Sequence, residues 1–131
     1  MRTCREPTFL PLTLSTVVRA TPGPATLAVH ATARRADSAA AECWAALLAG
    51  CDSPGKHQLP QRLRELSAAA TPHATESHRG KIDQARTRIE EALTDRDGED
   101  FAEAFIGYDQ AVATALARAN NRQETGDRTW V

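Results

Sequence analysis

Two long stretches of this sequence repeat apolar residues at alternating spacings of four and three. A helix turns 100° per residue, so this spacing keeps the repeated residues on one side of it. The stripe in residues 24–49 is mostly alanine, and the stripe in residues 101–119 begins with aromatic rings. The two stripes are, in turn, Val29, Ala33, Ala36, Ala40, Cys43 and Leu47, and Phe101, Phe105, Tyr108, Val112, Ala115 and Ala119. The pattern predicts helices over 24–49 and 98–120.

The core of such a chain should be thin. Alanine supplies 25 of the 131 residues, whereas leucine, isoleucine, valine and phenylalanine together supply 22. Alanine favours helix and buries little area. Because bulky rings fit a shallow face, we expect the last helix to dock on the first, with Gly107 allowing a close approach. The predicted contact residues are Ala33, Ala36, Ala40, Trp44, Phe101, Phe105, Tyr108 and Val112.

Shorter apolar patterns predict the remaining elements. Leu59, Leu63, Leu66 and Ala70 share one face, which predicts a short helix over 59–70 that begins near Pro60. Ile82, Ala85, Ile89, Ala92 and Leu93 predict a helix over 77–95. The fold class is therefore all-α, a small bundle of three long or medium helices and one short helix.

The ends of the chain differ from this bundle in composition. Residues 1–23 form an N-terminal arm, in which 11–20 is either a short helix or extended, and residues 24–121 form the single helical-bundle domain. The polar residues 122–131 predict a flexible tail. Trp130 and Val131 lie at its end. Three alternatives stay open for them: they are disordered, they anchor the tail in a groove of a partner, or Trp130 folds back onto the bundle. Gly50 is expected to end the first long helix, and Asp97 to cap the last.

Charge limits the classes of partner. The formal net charge is −1, whereas a duplex DNA-binding protein normally carries a strong basic excess. Residues 1–88 nevertheless hold 12 Lys/Arg against 7 Asp/Glu, and residues 89–131 hold 4 against 10, a split of +5 and −6. The basic surface of residues 62–88 predicts phosphate contact through Arg79, Lys81, Arg86 and Arg88. A nucleic-acid-associated regulator is thus one alternative function.

A metal-binding protein is a second alternative. The candidate ligands are Cys51, His57, His73 and His78, of which His73 and His78 are separated by four residues, a spacing found in zinc sites. No CxxC or HxxxH pair anchors this set, so we predict neither a metal nor a cofactor.

The leading hypothesis is a non-enzymatic protein that acts through helix–helix contacts, as a homodimer or an accessory subunit. It follows from the thin core and from the lack of a nucleophile elbow or phosphate loop in the sequence. Enzymatic activity is not predicted. The expected partner is a second copy or another protein. Three cysteines and the lack of any apolar run long enough to span a membrane predict a cytoplasmic location.

Overall fold

The computed structural model of the protein describes residues 8–20, 22–51 and 54–128, with side chains described except at 54–56 and 122–128. These ranges contain α-helices, one 3₁₀ turn and no strand, which confirms the predicted all-α fold. Nowhere in them does a helix reach both the length and the hydropathy needed to cross a membrane. The helices are α1 (Pro11–Arg19), α2 (Pro24–Ala49), α3 (Pro54–Ala70), α4 (Glu76–Asp95) and α5 (Gly98–Arg128), and the 3₁₀ turn Thr71–His73 joins α3 to α4.

Two helices are longer than the sequence pattern predicts. α3 begins at Pro54, and Pro60, the expected start, lies inside the helix. A proline fits the first turn because its missing N–H has no partner there. α5 continues to Arg128 rather than ending near residue 120, because each further residue adds one backbone hydrogen bond to a helix already formed. The backbone of 122–128 is therefore helical, and Trp130 and Val131 lie outside the described residues.

The helix ends confirm two local predictions. Gly50 ends α2, which Pro24 opens, in the left-handed region at φ 71°. Asp97 caps α5, because its Oδ1 accepts the N–H of Asp100 at 3.0 Å. A two-residue link therefore joins α4 to α5, and its other residue, Arg96, is also left-handed at φ 56°.

The helices form a ring in which each neighbours the next along the chain. α2 packs most extensively on α3, and α4 on α5, while α1 lies against both α2 and α5 and closes the ring. Short connections give each hairpin a small loop-closure cost. The predicted docking of α5 on the alanine face of α2 is only a minor contact, because α3 and α1 occupy most of that face. Nor does any described neighbour lie within 4 Å of a Cβ built on Gly107.

An aromatic cluster joins α2 to α5 through a residue that precedes α1. The ring centroid of Phe9 lies 6.0 Å from that of Trp44, 5.7 Å from that of Phe101 and 5.4 Å from that of Phe105. Trp44 and Phe101 also stack at 6.3 Å. The predicted rings of α5 are therefore buried within one chain, and Phe9 fills the space between them and α2.

Asp109, on α5, supplies the cap that α1 lacks. Leu10 stands at the N-cap of α1 and has no side chain that can accept a hydrogen bond. Asp109 instead accepts the N–H of Leu12 through Oδ2 at 3.0 Å and that of Thr13 through Oδ1 at 2.8 Å. The Thr13 hydroxyl donates to the Asp109 carbonyl at 3.3 Å. Asp109 is buried, and its carboxylate is therefore shielded from water. The backbone donors and the positive end of the α1 dipole compensate its charge instead.

Asp37, on α2, holds the residues just before α1. Its Oδ1 accepts the N–H of Phe9 at 2.7 Å and that of Leu10 at 3.0 Å. Two carboxylates from two helices therefore satisfy the backbone donors at the start of α1, and they fix the position of the Phe9 ring.

We predict that Asp109→Ala lowers the free energy of unfolding by about 2–3 kcal/mol, because it leaves two backbone donors of α1 without an acceptor. Urea denaturation followed by circular dichroism measures this loss. Glu103→Ala, at an exposed position of the same helix, is the matched control and should change stability by less than about 0.5 kcal/mol. Equal losses in the two variants would contradict the capping role.

Candidate anion-binding site

The four predicted phosphate contacts divide between two sides of α4. Arg79 and Arg86 are seven residues apart, close to two full turns, and both line one pocket. Lys81 and Arg88 each follow one of them by two residues, which places them about 200° further around the helix. Lys81 lines a separate groove between α4 and α5. The structure therefore brings together two of the four residues.

The pocket lies between α3 and α4 and has a volume of about 240 Å³. α3 contributes an arginine that sequence analysis did not single out, Arg64. Its lining residues are Arg64, Ser67, Ala68, Thr71, Arg79, Ile82, Asp83 and Arg86. Three guanidinium groups and one carboxylate thus surround one concave site, which gives it a net positive charge.

The three arginines differ in how many of their donors are already used. Arg86 pairs with Glu90 at 3.0 Å and with Asp83 at 3.6 Å. Arg79 makes one hydrogen bond, to the carbonyl of Thr71 at 3.3 Å. Arg64 has no hydrogen-bond or ion-pair partner among the described residues. Most of the N–H groups of Arg64 and Arg79 are therefore available to a ligand.

The sequence of α3 carries a signal for Arg64 that the apolar pattern alone does not show. The buried face of that helix is formed by Leu59, Leu63 and Leu66. Arg64 recurs with Ser67 and Thr71 at spacings of three and four, which makes a polar stripe beside the apolar one. Such a stripe next to a leucine face, followed by a short connection to a basic helix, is the signal that would have identified it.

The floor of the pocket is tied to the core by the single tyrosine of the chain. The Tyr108 hydroxyl lies 2.8 Å from Ser67 Oγ and donates to the Leu63 carbonyl at 3.2 Å. Because this donation uses the phenolic proton, Ser67 donates to the tyrosine oxygen. Burial raises the pKa of Tyr108 above its ordinary value, because the phenolate would lose its hydration. Tyr108 therefore acts as a structural link between α5 and the α3 wall.

The residues predicted as helix–helix contacts pack inside the chain. Trp44 is half-buried in the aromatic cluster, and the other seven are buried. A partner would therefore have to bind other residues unless the bundle opened. The buried seven are Ala33, Ala36, Ala40, Phe101, Phe105, Tyr108 and Val112.

The candidate metal ligands do not form a ligand set. Cys51 and His57 are exposed, whereas His73 and His78 are half-buried, and their Nε2 and Nδ1 atoms, respectively, are buried without a hydrogen-bond partner. Over the described ranges, no three Cys, His, Asp or Glu residues lie close enough together to hold a metal ion.

Comparison with known proteins adds no family to these observations. No protein-family model, no curated protein and no solved structure matches the chain. The chemistry of the arginine pocket is therefore the basis for a functional proposal.

We predict that Tyr108 stays protonated at pH values where a free tyrosine ionises. A raised folded-state pKa stabilises the fold fully below the unfolded pKa of about 10, and this contribution is lost as pH rises above it. Because the chain has one tyrosine, phenolate absorbance reports this group alone. The phenolate signal should appear together with the loss of helical circular dichroism. The urea-unfolded chain is the control and should titrate near pH 10; a native chain that does the same would contradict the buried link.

Proposed function

We propose that this protein is a non-enzymatic binding protein whose α3–α4 pocket engages a phosphate-bearing partner. The observation that carries the proposal is the convergence of Arg64, Arg79 and Arg86 on one pocket, with Arg64 lacking a described partner. Like charges brought close together repel one another. An anion that enters such a site relieves this repulsion, so its binding lowers the free energy of the protein. The proposal includes the nucleic-acid-associated regulator predicted from residues 62–88, since phosphate is also the charged group of nucleic acids.

Arginine suits phosphate better than lysine does. The guanidinium group is planar and offers paired N–H donors that match two phosphate oxygens, and it keeps its charge at any physiological pH. The chain has 14 arginines and only 2 lysines. A simple solvated ion-pair face would also contain arginines, as Arg86 with Glu90 illustrates. Arg64 and Arg79 differ from Arg86 in this respect, because neither pairs with a carboxylate of the described residues.

We predict that inorganic phosphate stabilises the protein against urea more than chloride does at equal ionic strength. Ligand binding to the folded state raises the free energy of unfolding by about 1.4 kcal/mol at ten times the Kd. The double variant Arg64→Gln, Arg79→Gln should lose this phosphate-specific increment. Arg88→Gln removes the same charge from the far side of α4 and should keep it. A wild-type protein that responds equally to both salts would refute the proposal.

Self-association is a second candidate function, favoured by the apolar end of α2. Leu48 is 68% exposed in a chain that has few large apolar residues. Beside it, a notch of about 190 Å³ is lined by Cys43, Ala46, Leu47, Gly50, Cys51 and Arg96. A cavity of about 150 Å³ holds benzene, so this notch has room for a leucine side chain. Two copies related by a twofold axis could each insert Leu48 into the other's notch.

We predict that the protein elutes as a dimer in size-exclusion chromatography with light scattering, and that Leu48→Ser yields a folded monomer. The dimer should dissociate because the variant lacks the apolar side chain that each copy inserts into the notch of the other. Leu27→Ser is the matched control, since Leu27 is equally exposed, at 66%, near the opposite end of α2. A wild-type monomer at all concentrations, or a dimer unaffected by Leu48→Ser, would rule out this interface.

A further inference from the structure

The placement of charge around the α3–α4 pocket bears on which phosphate it holds. We infer that the pocket takes the terminal phosphate of a monoester rather than the diester backbone of a nucleic acid. This inference rests on the proposed function, because it identifies the ligand class of the same pocket. Four observations support it.

The basic side chains of α4 do not form a track. A protein that binds a nucleic-acid strand neutralises several successive phosphates along a groove. Here Arg64, Arg79 and Arg86 converge on one site, and the other basic residues of α4 point away. Lys81 lines the groove on the α5 side, and Arg88 lies about 200° around α4 from Arg86. Along α4, therefore, one phosphate group meets several cations and a second meets none. The arginines on the other side of α3, Arg34, Arg35 and Arg62, line a separate pocket together with Glu42.

Negative charge borders the same site. Asp83 lines the pocket, and Glu90 pairs with Arg86 one helical turn further along α4. The Asp83 side chain is 66% exposed. A strand that continued past the pocket along α4 would bring its next phosphates close to these carboxylates and would be repelled. A ligand that ends in its phosphate avoids this repulsion.

The described aromatic residues offer no platform for bases. Proteins that bind single strands stack exposed aromatic rings on the bases. None of the described rings lines the pocket, and all are wholly or partly buried in the core. They are Phe9, Trp44, Phe101, Phe105 and Tyr108. The pocket can therefore hold a phosphate, but it has nothing to hold a nucleobase through stacking.

The donors match the charge of a monoester. A phosphomonoester carries a charge of about −1.5 to −2 at pH 7 and presents three terminal oxygens. A diester carries a single negative charge and has two such oxygens. Arg64 and Arg79 supply two positive charges and forked donors that are largely unused, whereas the charge of Arg86 is already met by Glu90 and Asp83. The third oxygen and the extra negative charge of a monoester therefore bind arginine donors that a diester would leave unused.

Monoesters in proteins and in small molecules present the same phosphate group. The pocket volume of about 240 Å³ accommodates the phosphate and a few further atoms, so the part of the ligand beyond them lies outside. A phosphorylated side chain and a small phosphate ester therefore satisfy this site through the same chemistry. What distinguishes these sources is whether the atoms outside the pocket add affinity.

The test compares oligonucleotides that differ in one group. A fluorescent single-stranded oligonucleotide with a 5′-phosphate and the same oligonucleotide with a 5′-hydroxyl are titrated with protein at low salt. We expect the 5′-phosphorylated form to bind at least about tenfold more tightly, the equivalent of one charge-assisted hydrogen bond. Arg64→Gln should abolish this preference, and Arg88→Gln should keep it. Equal binding of the two oligonucleotides would overturn the inference.

Two further arms identify the source of the phosphate. Glycerol 3-phosphate and a phosphoserine peptide are compared by calorimetry with inorganic phosphate. Tighter binding of either ester than of inorganic phosphate supports the inference, and the tighter ester identifies the source. Failure of both esters to bind, while inorganic phosphate binds, overturns the inference and leaves the proposed function standing. Failure of inorganic phosphate itself would instead refute the proposed function.

Discussion

The carboxylates of Asp37 and Asp109 hold the start of α1 in the gap between α2 and α5, and the closed ring depends on this attachment. A helix leaves its first backbone donors without partners, and α1 has no side chain of its own to satisfy them. Two aspartates on other helices accept these donors instead, at 2.7–3.0 Å. The same geometry places Phe9 among the rings of α2 and α5. Polar and apolar contacts at this point therefore support one another.

The fold could be predicted where the information is local. Alternating spacings of four and three, together with proline, glycine and aspartate at helix ends, located the long helices. The starting point of α3 was missed because Pro60 suggested a beginning that Pro54 already supplied. Which faces would meet was not local information. The alanine stripe of α2 is compatible with any bulky partner, so the stripe alone did not distinguish α5 from α3 or from the segment around Phe9.

The roles of Asp37 and Asp109 were not predicted, although a signal for Asp109 exists in the sequence. Asp109 follows the apolar Tyr108 and lies four residues after Phe105 and four before Ala113, on a face where no other residue is charged. A charge at such a position needs buried donors. Leu10 and Pro11, at the start of α1, form a helix beginning without a cap. Each of these two anomalies explains the other, but pairing them requires a contact across 96 residues of sequence.

The candidate site shows the same division between local and distant information. Helical spacing separates Arg79 and Arg86 from Lys81 and Arg88, and this separation could be read from the sequence. The addition of Arg64 could not, because it depends on how α3 and α4 are placed around the turn at Thr71–His73. Asp37 and Asp109 are charges whose partners belong to the chain. Arg64 differs from them, since it is exposed and no described residue pairs with it, so its donors are open to a ligand.

The long separation between α1 and its aspartate partner has a consequence for the order of folding. Each hairpin, α2 with α3 and α4 with α5, forms through contacts close in sequence, whereas the Leu12 to Asp109 hydrogen bond spans 97 residues. Contacts of high sequence separation form late, because a long loop must close first. During synthesis α1 leaves the ribosome before α5, so the contacts of its N-terminal end with Asp37 and Trp44 on α2 form from neighbours already made. We therefore expect the attachment of α1 to be completed last, when the middle of α5 emerges and Asp109 accepts the N–H groups of Leu12 and Thr13.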